Sequence, residues 1–208
     1  MYLQMSAYNW IWMICFAAAC ALAPGCAGPD TTEEDLGEGY ILRCETKRGK
    51  KERVCKRISP EGLTVEEIWY RDSMQHGAHR FYYPNGQIEI ENHYADGRLQ
   101  GVCKRYYPDG SLKSEVNYVN GGMQGEFRAY YPNGALREKV TMVANEEDGP
   151  FEEYFPNGRI KTRGHYRPGE DGPLEEGELI EYDSSGQTLR IADCRSGICI
   201  TRTSAQKK

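Results

Sequence analysis

Tyr82-Tyr83-Pro84-Asn85-Gly86 returns as Tyr106-Tyr107-Pro108-Asp109-Gly110, as Tyr130-Tyr131-Pro132-Asn133-Gly134 and as Tyr154-Phe155-Pro156-Asn157-Gly158, each 24 residues after the last. A period in that range marks a repeat architecture. Ile58-Ser59-Pro60-Glu61-Gly62 extends the series upstream, and Tyr182-Asp183-Ser184-Ser185-Gly186 extends it downstream after a four-residue insertion, which makes six copies. Within a copy, Pro presets φ for the second position of a type I turn and Asn or Asp tolerates the third. Gly then takes the left-handed conformation that closes a three-residue hairpin with a bulge. This register sets Tyr82 opposite Ile88, Tyr106 opposite Leu112, Tyr130 opposite Leu136 and Tyr154 opposite Ile160. Each aromatic–aliphatic pair stabilises a hairpin by about 0.2–1 kcal/mol relative to two alanines.

The rest of each unit agrees with a hairpin. Gly77, Gly101, Gly125, Gly149 and Gly177 open successive units, and every glycine is read as part of a turn. Tyr70, Tyr94, Tyr118 and Tyr166 share one phase of the returning strand, with Met142 in the fifth place. A second turn closes the unit at Asp96-Gly97, Asn120-Gly121 and Pro168-Gly169. Helical periodicity is absent from the repeats. The expected fold is all-β: an elongated single-layer antiparallel β-meander of about six hairpin repeats, or about a dozen short strands spaced ~4.8 Å apart. Tyr82, Tyr94, Tyr106, Tyr118, Tyr130, Tyr154 and Tyr166 are its expected repeat core.

Residues 1–25 carry no charged side chain, and Trp10 to Ala23 is an apolar run of fourteen. A membrane-spanning helix needs about 20 apolar residues, so the run fits the core of a signal peptide instead. Ala23-Pro24-Gly25-Cys26 resembles a lipobox and makes Cys26 the expected lipid-modified residue, with Cys20 after Ala17-Ala18-Ala19 as the alternative. Residues 26–39 are small and acidic, and such a segment cannot bury enough surface to fold. The expected organisation is therefore a lipoprotein-type signal peptide at 1–25, a disordered acidic tether at 26–39, the repeat domain at 40–200 and a disordered tail at 201–208.

Five of the 31 acidic residues lie in the tether, which leaves the rest balanced against 26 Lys and Arg. A neutral body excludes nucleic acid as a partner. Tyr40 to Arg57 is the local exception, with eight Lys/Arg and two Glu. It reads as a cationic edge hairpin, or more sharply as a dock for lipid or polysaccharide over residues 43–57. Cys44 and Cys55 flank Arg48-Gly49-Lys50-Lys51 symmetrically, as Cys194 and Cys199 flank Arg195-Ser196-Gly197-Ile198. Two disulfides, Cys44–Cys55 and Cys194–Cys199, are expected to staple the ends of an exported array. Cys103 is left free and faces inward, because it shares its phase with Phe127 and Phe151.

No catalytic, cofactor-binding or metal-binding residue is assigned. Neither cysteine pair has close spacing plus the further ligands of a zinc site. His93 and His165 lie three units apart. His79 and Cys103 are two strands apart, roughly 10 Å, beyond the ~3 Å of a nucleophile–base pair.

The recurring Gly-x4-Tyr-Tyr-Pro-Asn-Gly-x-[Ile/Leu], carried by Gly77/Tyr82/Gly86, Gly101/Tyr106/Gly110, Gly125/Tyr130/Gly134 and Gly149/Tyr154/Gly158, resembles the bacterial variant of the MORN (membrane occupation and recognition nexus) repeat. The resemblance implies an elongated β-sheet scaffold for protein or lipid contact. Many bacterial relatives are labelled antitoxins. The expected function is an exported, lipid-anchored scaffold that binds an unidentified protein partner at the cell envelope, on the outer membrane or cell surface. An antitoxin or immunity-like protein is the alternative, as is a soluble periplasmic or secreted location. No enzymatic activity and no cofactor is expected.

Overall fold

The computed structural model describes residues 30–46 and 50–204, so the expectations for the signal peptide, for Cys26 and for residues 205–208 lie outside the described residues. The described residues form one antiparallel sheet of 18 strands. The strands are β1 (Asp30–Gly37), β2 (Tyr40–Thr46), β3 (Glu52–Ile58), β4 (Thr64–Arg71), β5 (Met74–Tyr82), β6 (Ile88–Ala95), β7 (Arg98–Leu99), β8 (Gly101–Tyr106) and β9 (Leu112–Val119). They continue as β10 (Gly122–Met123), β11 (Gly125–Tyr130), β12 (Leu136–Val143), β13 (Glu146–Tyr154), β14 (Ile160–Arg167), β15 (Leu174–Glu175), β16 (Gly177–Tyr182), β17 (Thr188–Arg195) and β18 (Ile198–Ser204). Strands follow one another as a meander. β7 and β8 both pair with β6, β10 and β11 with β9, and β15 and β16 with β14, so each duo is one strand broken in the middle.

All six copies of the repeated turn close in the same way. In the second copy Tyr83 N–H donates to Gln87 C=O and Gly86 N–H to Tyr83 C=O, and the same pair of bonds recurs at Ser59, Tyr107, Tyr131, Phe155 and Asp183. The pairs Tyr82–Ile88, Tyr106–Leu112, Tyr130–Leu136 and Tyr154–Ile160 are all in register. At the opposite edge, two-residue turns reverse the chain with positive φ at both positions. Asp96-Gly97 and Asn120-Gly121 do so, and so do Asp72-Ser73, Ala144-Asn145 and Ser196-Gly197.

Four expectations change. Residues 30–37 are not a tether. A left-handed turn at Glu38 and Gly39 folds them back as β1 on β2, where Glu33 sits opposite Arg43 and receives its guanidinium at 2.7 Å. Their low hydrophobicity argued for disorder, but a neighbouring basic strand supplies both a backbone ladder and a cross-strand charge pair. The tail likewise begins later, because β18 pairs with β17 as far as Arg190–Ser204. Pro168-Gly169 is not a two-residue turn, since proline is locked at negative φ; the chain passes from β14 to β15 through the longer loop 168–173. Finally, the opening glycines are not turn residues. Gly77, Gly101, Gly125, Gly149 and Gly177 have φ of +91°, +92°, +89°, +134° and +78° inside or at the start of strands. At each, the register gains two residues on the glycine's strand, as between Ile68–His79 and Tyr70–Gln75. Each unit thus carries a bulge that bends and twists the sheet, and only glycine enters it without strain.

Alternation divides the side chains between two faces. One is apolar, with Val116, Val140, Met142, Phe151, Leu179, Ala192 and Cys194 buried and Tyr118, Phe127 and Tyr166 packed against them. Packing is tight at Gly164. The Phe151 ring stacks on Tyr166 at 3.9 Å, nearly parallel, and a Cβ on Gly164 would meet that ring at 2.9 Å and Leu179 at 3.0 Å. The turns are also tied side to side. The hydroxyls of Tyr83, Tyr107 and Tyr131 donate to the carbonyls of Tyr106, Tyr130 and Tyr154 in the next copy at 2.8–2.9 Å. The amides of Asn85 and Asn133 donate to the carbonyls of Pro108 and Pro156 at 2.7 and 3.2 Å. Asp109 has no N–H to give, and accepts from Ser111 instead.

Gly164→Ala is expected to overpack the Phe151 ring and cost about 1–3 kcal/mol in urea unfolding; an unchanged midpoint would mean that the ring is loosely held. Tyr107→Phe removes the tyrosine link at a junction with no asparagine link, and is expected to cost about 0.5–1.5 kcal/mol. Adding Asp109→Asn to that variant supplies the missing donor, and the midpoint should partly recover.

Candidate binding surfaces of the sheet

The second face carries a row of charges that crosses strand after strand. In cross-strand register it runs Glu33, Arg43, Lys56, Glu67, Arg80, Glu91, Lys104, Glu115, Arg128, Lys139, Glu152, Arg163. Signs mostly alternate, and the contacts are short: Arg80 Nη1 reaches Glu67 at 3.1 Å and Arg80 Nε reaches Glu91 at 2.8 Å, while Lys139 Nζ reaches Glu152 at 2.7 Å. Glu67 is 9% exposed and also accepts from Trp69 Nε1 and pairs with Lys56. Exposed pairs of this kind stabilise little one at a time. As a row they set opposite charges side by side along most of its length.

The tyrosines divide between the faces. Tyr82, Tyr106, Tyr130 and Tyr154 stand on the polar face, one step along their strands from the charge row, where Tyr130 donates to Glu115 at 3.0 Å and Tyr154 to Glu152. Tyr94, Tyr118 and Tyr166 stand on the apolar face, and Met142 takes the place between the last two. Burial, followed by the nearby Glu175 and Glu147, pushes the Tyr166 hydroxyl up to about 12, which keeps the stacked ring neutral. No described tyrosine is fully buried, and nothing in the described residues forms a second layer over the aromatic face.

The basic hairpin is largely spent on its neighbours. Arg43 pairs with Glu33, Lys51 with Asp72, Lys56 with Glu67 and Arg57 with Glu66, and Arg53 lies over the Tyr70 ring at 5.1 Å. Cations held this way offer a lipid or polysaccharide little free charge. Lys47 and Arg48 lie outside the described residues.

Cys44–Cys55 and Cys194–Cys199 are disulfides across directly paired positions near either end of the sheet. Cys103 is free and buried, and its surroundings raise its thiol pKa through burial. His79 is held between Glu66 at 2.8 Å and Gln75 at 3.1 Å, which occupies both ring nitrogens. His93 Nδ1 bonds to the Val102 carbonyl at 3.0 Å. Among the described residues no group of three or more His, Cys, Asp or Glu is placed to hold a metal ion. The charge row and the tyrosine and asparagine links escaped sequence reading. Both were legible in principle, since Glu67, Glu91 and Glu115 recur every 24 residues, as do Arg80, Lys104 and Arg128.

No curated protein matches the chain. Solved structures with a distant likeness to the chain include a crystal structure of an S. aureus TarM variant in complex with fondaparinux, α-GlcNAc-glycerol and UDP. It is 13% identical, at a TM-score of 0.31, over 45% of this chain and 21% of that one. A second crystal structure of TarM is 16% identical, at a TM-score of 0.32, over 56% of this chain and 20% of that one. This chain therefore spans about a fifth of each. The family described as MORN repeat variant matches residues 75–96, 99–120, 123–144 and 147–167. These four matches coincide with the four best-kept copies of the hairpin, so residues 75–167 carry four repeats of the MORN repeat variant type.

Proposed function

We propose that the chain is an exported, lipid-anchored repeat scaffold that binds a protein partner at the cell envelope and carries no catalytic activity of its own. The observation that carries the binding role is the uncovered aromatic face. Tyr118, Phe127 and Tyr166 are only half-buried, although they pack against the core of a sheet with no second layer in the described residues, and Tyr94 is half-buried on the same face. Rigid, amphipathic rings of this kind are good contact material. The polar face is a weaker candidate, because its charges are already paired with one another.

Export is supported by the apolar run Trp10 to Ala23 and by two disulfides, which persist in oxidising compartments. Lipidation at Cys26 would place the anchor four residues before β1, and a fully extended chain spans at most about 3.6 Å per residue. The first edge of the sheet would then lie within ~14 Å of the membrane surface, so the acidic segment would be part of the sheet rather than a spacer. An immunity-like protein that captures an incoming toxin is one form of the same reading.

Expression of the full chain in a diderm bacterium, with Cys26→Ala beside it, tests the anchored reading. The wild type is expected to fractionate with membranes and to gain a diacylglycerol-sized mass that the variant lacks. An unprocessed cytosolic chain with reduced cysteines would contradict export and the disulfides together.

A further inference from the structure

The aromatic row of the apolar face has one gap. Cys103, Phe127 and Phe151 occupy the same phase in successive units, each opposite the returning strand at Val116, Val140 and Gly164. Where the later units place a phenylalanine ring, the unit at Cys103 places a thiol. A groove of about 370 Å³ opens there, with Cys103, Val116, Tyr118, Met123 and Phe127 among its lining. The rim is cationic, with Arg105, Lys113 and Arg137 around it. Arg105 is exposed and makes no ion pair among the described residues, and its phase-mates Phe81, Ala129 and Glu153 are not basic. Lys113 lies over the Tyr107 ring at 5.6 Å, and Arg137 has only its neighbour Glu138 at 3.9 Å. The one carboxylate in the lining, Glu115, belongs to the charge row on the other face, where Tyr130 and Arg128 already engage it.

We propose that this groove receives one aromatic side chain from an acidic, extended segment of the partner protein. The ring would take the place vacated at Cys103, and the carboxylates flanking it would meet Arg105, Lys113 and Arg137. The size of the gap favours a side chain over a lipid. Its apolar floor is short, bounded by Phe127 on one side and by the polar Asn92 on the other, which leaves little length for an acyl chain. The thiol floor stays uncharged, since burial raises its pKa. The proposal rests on the reading of the chain as a protein-binding scaffold and adds the chemistry of the segment bound.

The test uses the full chain and a fluorescein-labelled heptapeptide with one phenylalanine between three glutamates on each side, followed by fluorescence anisotropy. Cys103→Phe restores the ring found at Phe127 and Phe151, so it should fold with an undiminished urea midpoint while filling the groove. It is expected to weaken the peptide at least about tenfold, a difference of about 1.4 kcal/mol. Arg105→Glu with Arg137→Glu should weaken it similarly, and replacing the glutamates by lysines or the phenylalanine by alanine should abolish binding. Retained affinity in Cys103→Phe would overturn the proposal, as would no binding by the wild type. So would phosphatidylglycerol vesicles that bind in place of the peptide with the same dependence on Arg105. Capture of an envelope protein that Cys103→Phe leaves unchanged would overturn this site while leaving the scaffold reading intact.

Discussion

A sheet one layer thick has to bury its core within its own face, and neighbouring repeats are the only cover available. Phe151 illustrates the solution. Its ring lies flat on Tyr166, and Gly164 on the adjoining strand has no side chain to lift it. Val140 and Ala192 are almost fully buried within the same cluster. No unit could do this alone, which is the physical reason a repeat of this kind appears in arrays. The side-to-side bonds between turns follow from the same constraint. With no layer above, register between units is held by hydroxyls and amides that reach across to the next copy.

The opposite face solves a different problem. It meets solvent, so its strands can carry charge, but like charges side by side would weaken the sheet. Alternating Glu with Lys or Arg along one row turns that liability into a ladder of short contacts. The cationic hairpin at the start of the sheet belongs to the same scheme. Its arginines and lysines answer the acids of β1 and β4, and the acidic β1 in turn presents an outer edge that like charges keep from pairing with another copy of itself.

The turns were the most legible part of the chain. Proline, Asn or Asp, and glycine at fixed spacing left one hairpin geometry, and even the two worn copies at Ser59 and Asp183 adopt it. Both disulfides followed from symmetry about their loops. The strand ends were harder. Residues 30–37 and 201–204 have too little apolar content to signal a strand, and they are strands because a partner strand lies beside them. The opening glycines were visible as a period but not as bulges, since a glycine alone does not say whether the chain reverses or only bends. The groove at Cys103 depended on knowing which side chains share a face with the missing ring. Its phase was plain in the sequence; its cationic rim was not, because Lys113 comes from just past the turn of its own hairpin and Arg137 from just past the turn of the next.

The claim that stands beneath all of this is that each unit contacts only its neighbours through one shared geometry. Deleting residues 101–124 joins Gln100 to Gly125 and removes one full period while keeping every phase. The account predicts a chain that still unfolds in one cooperative transition with both disulfides formed, and with a urea m-value lower by roughly a seventh, in proportion to the surface lost. A twelve-residue deletion over 101–112, which throws the later units out of phase, should fail to fold. If the 24-residue deletion unfolds the chain as thoroughly as the twelve-residue one, the sheet is not built from interchangeable units.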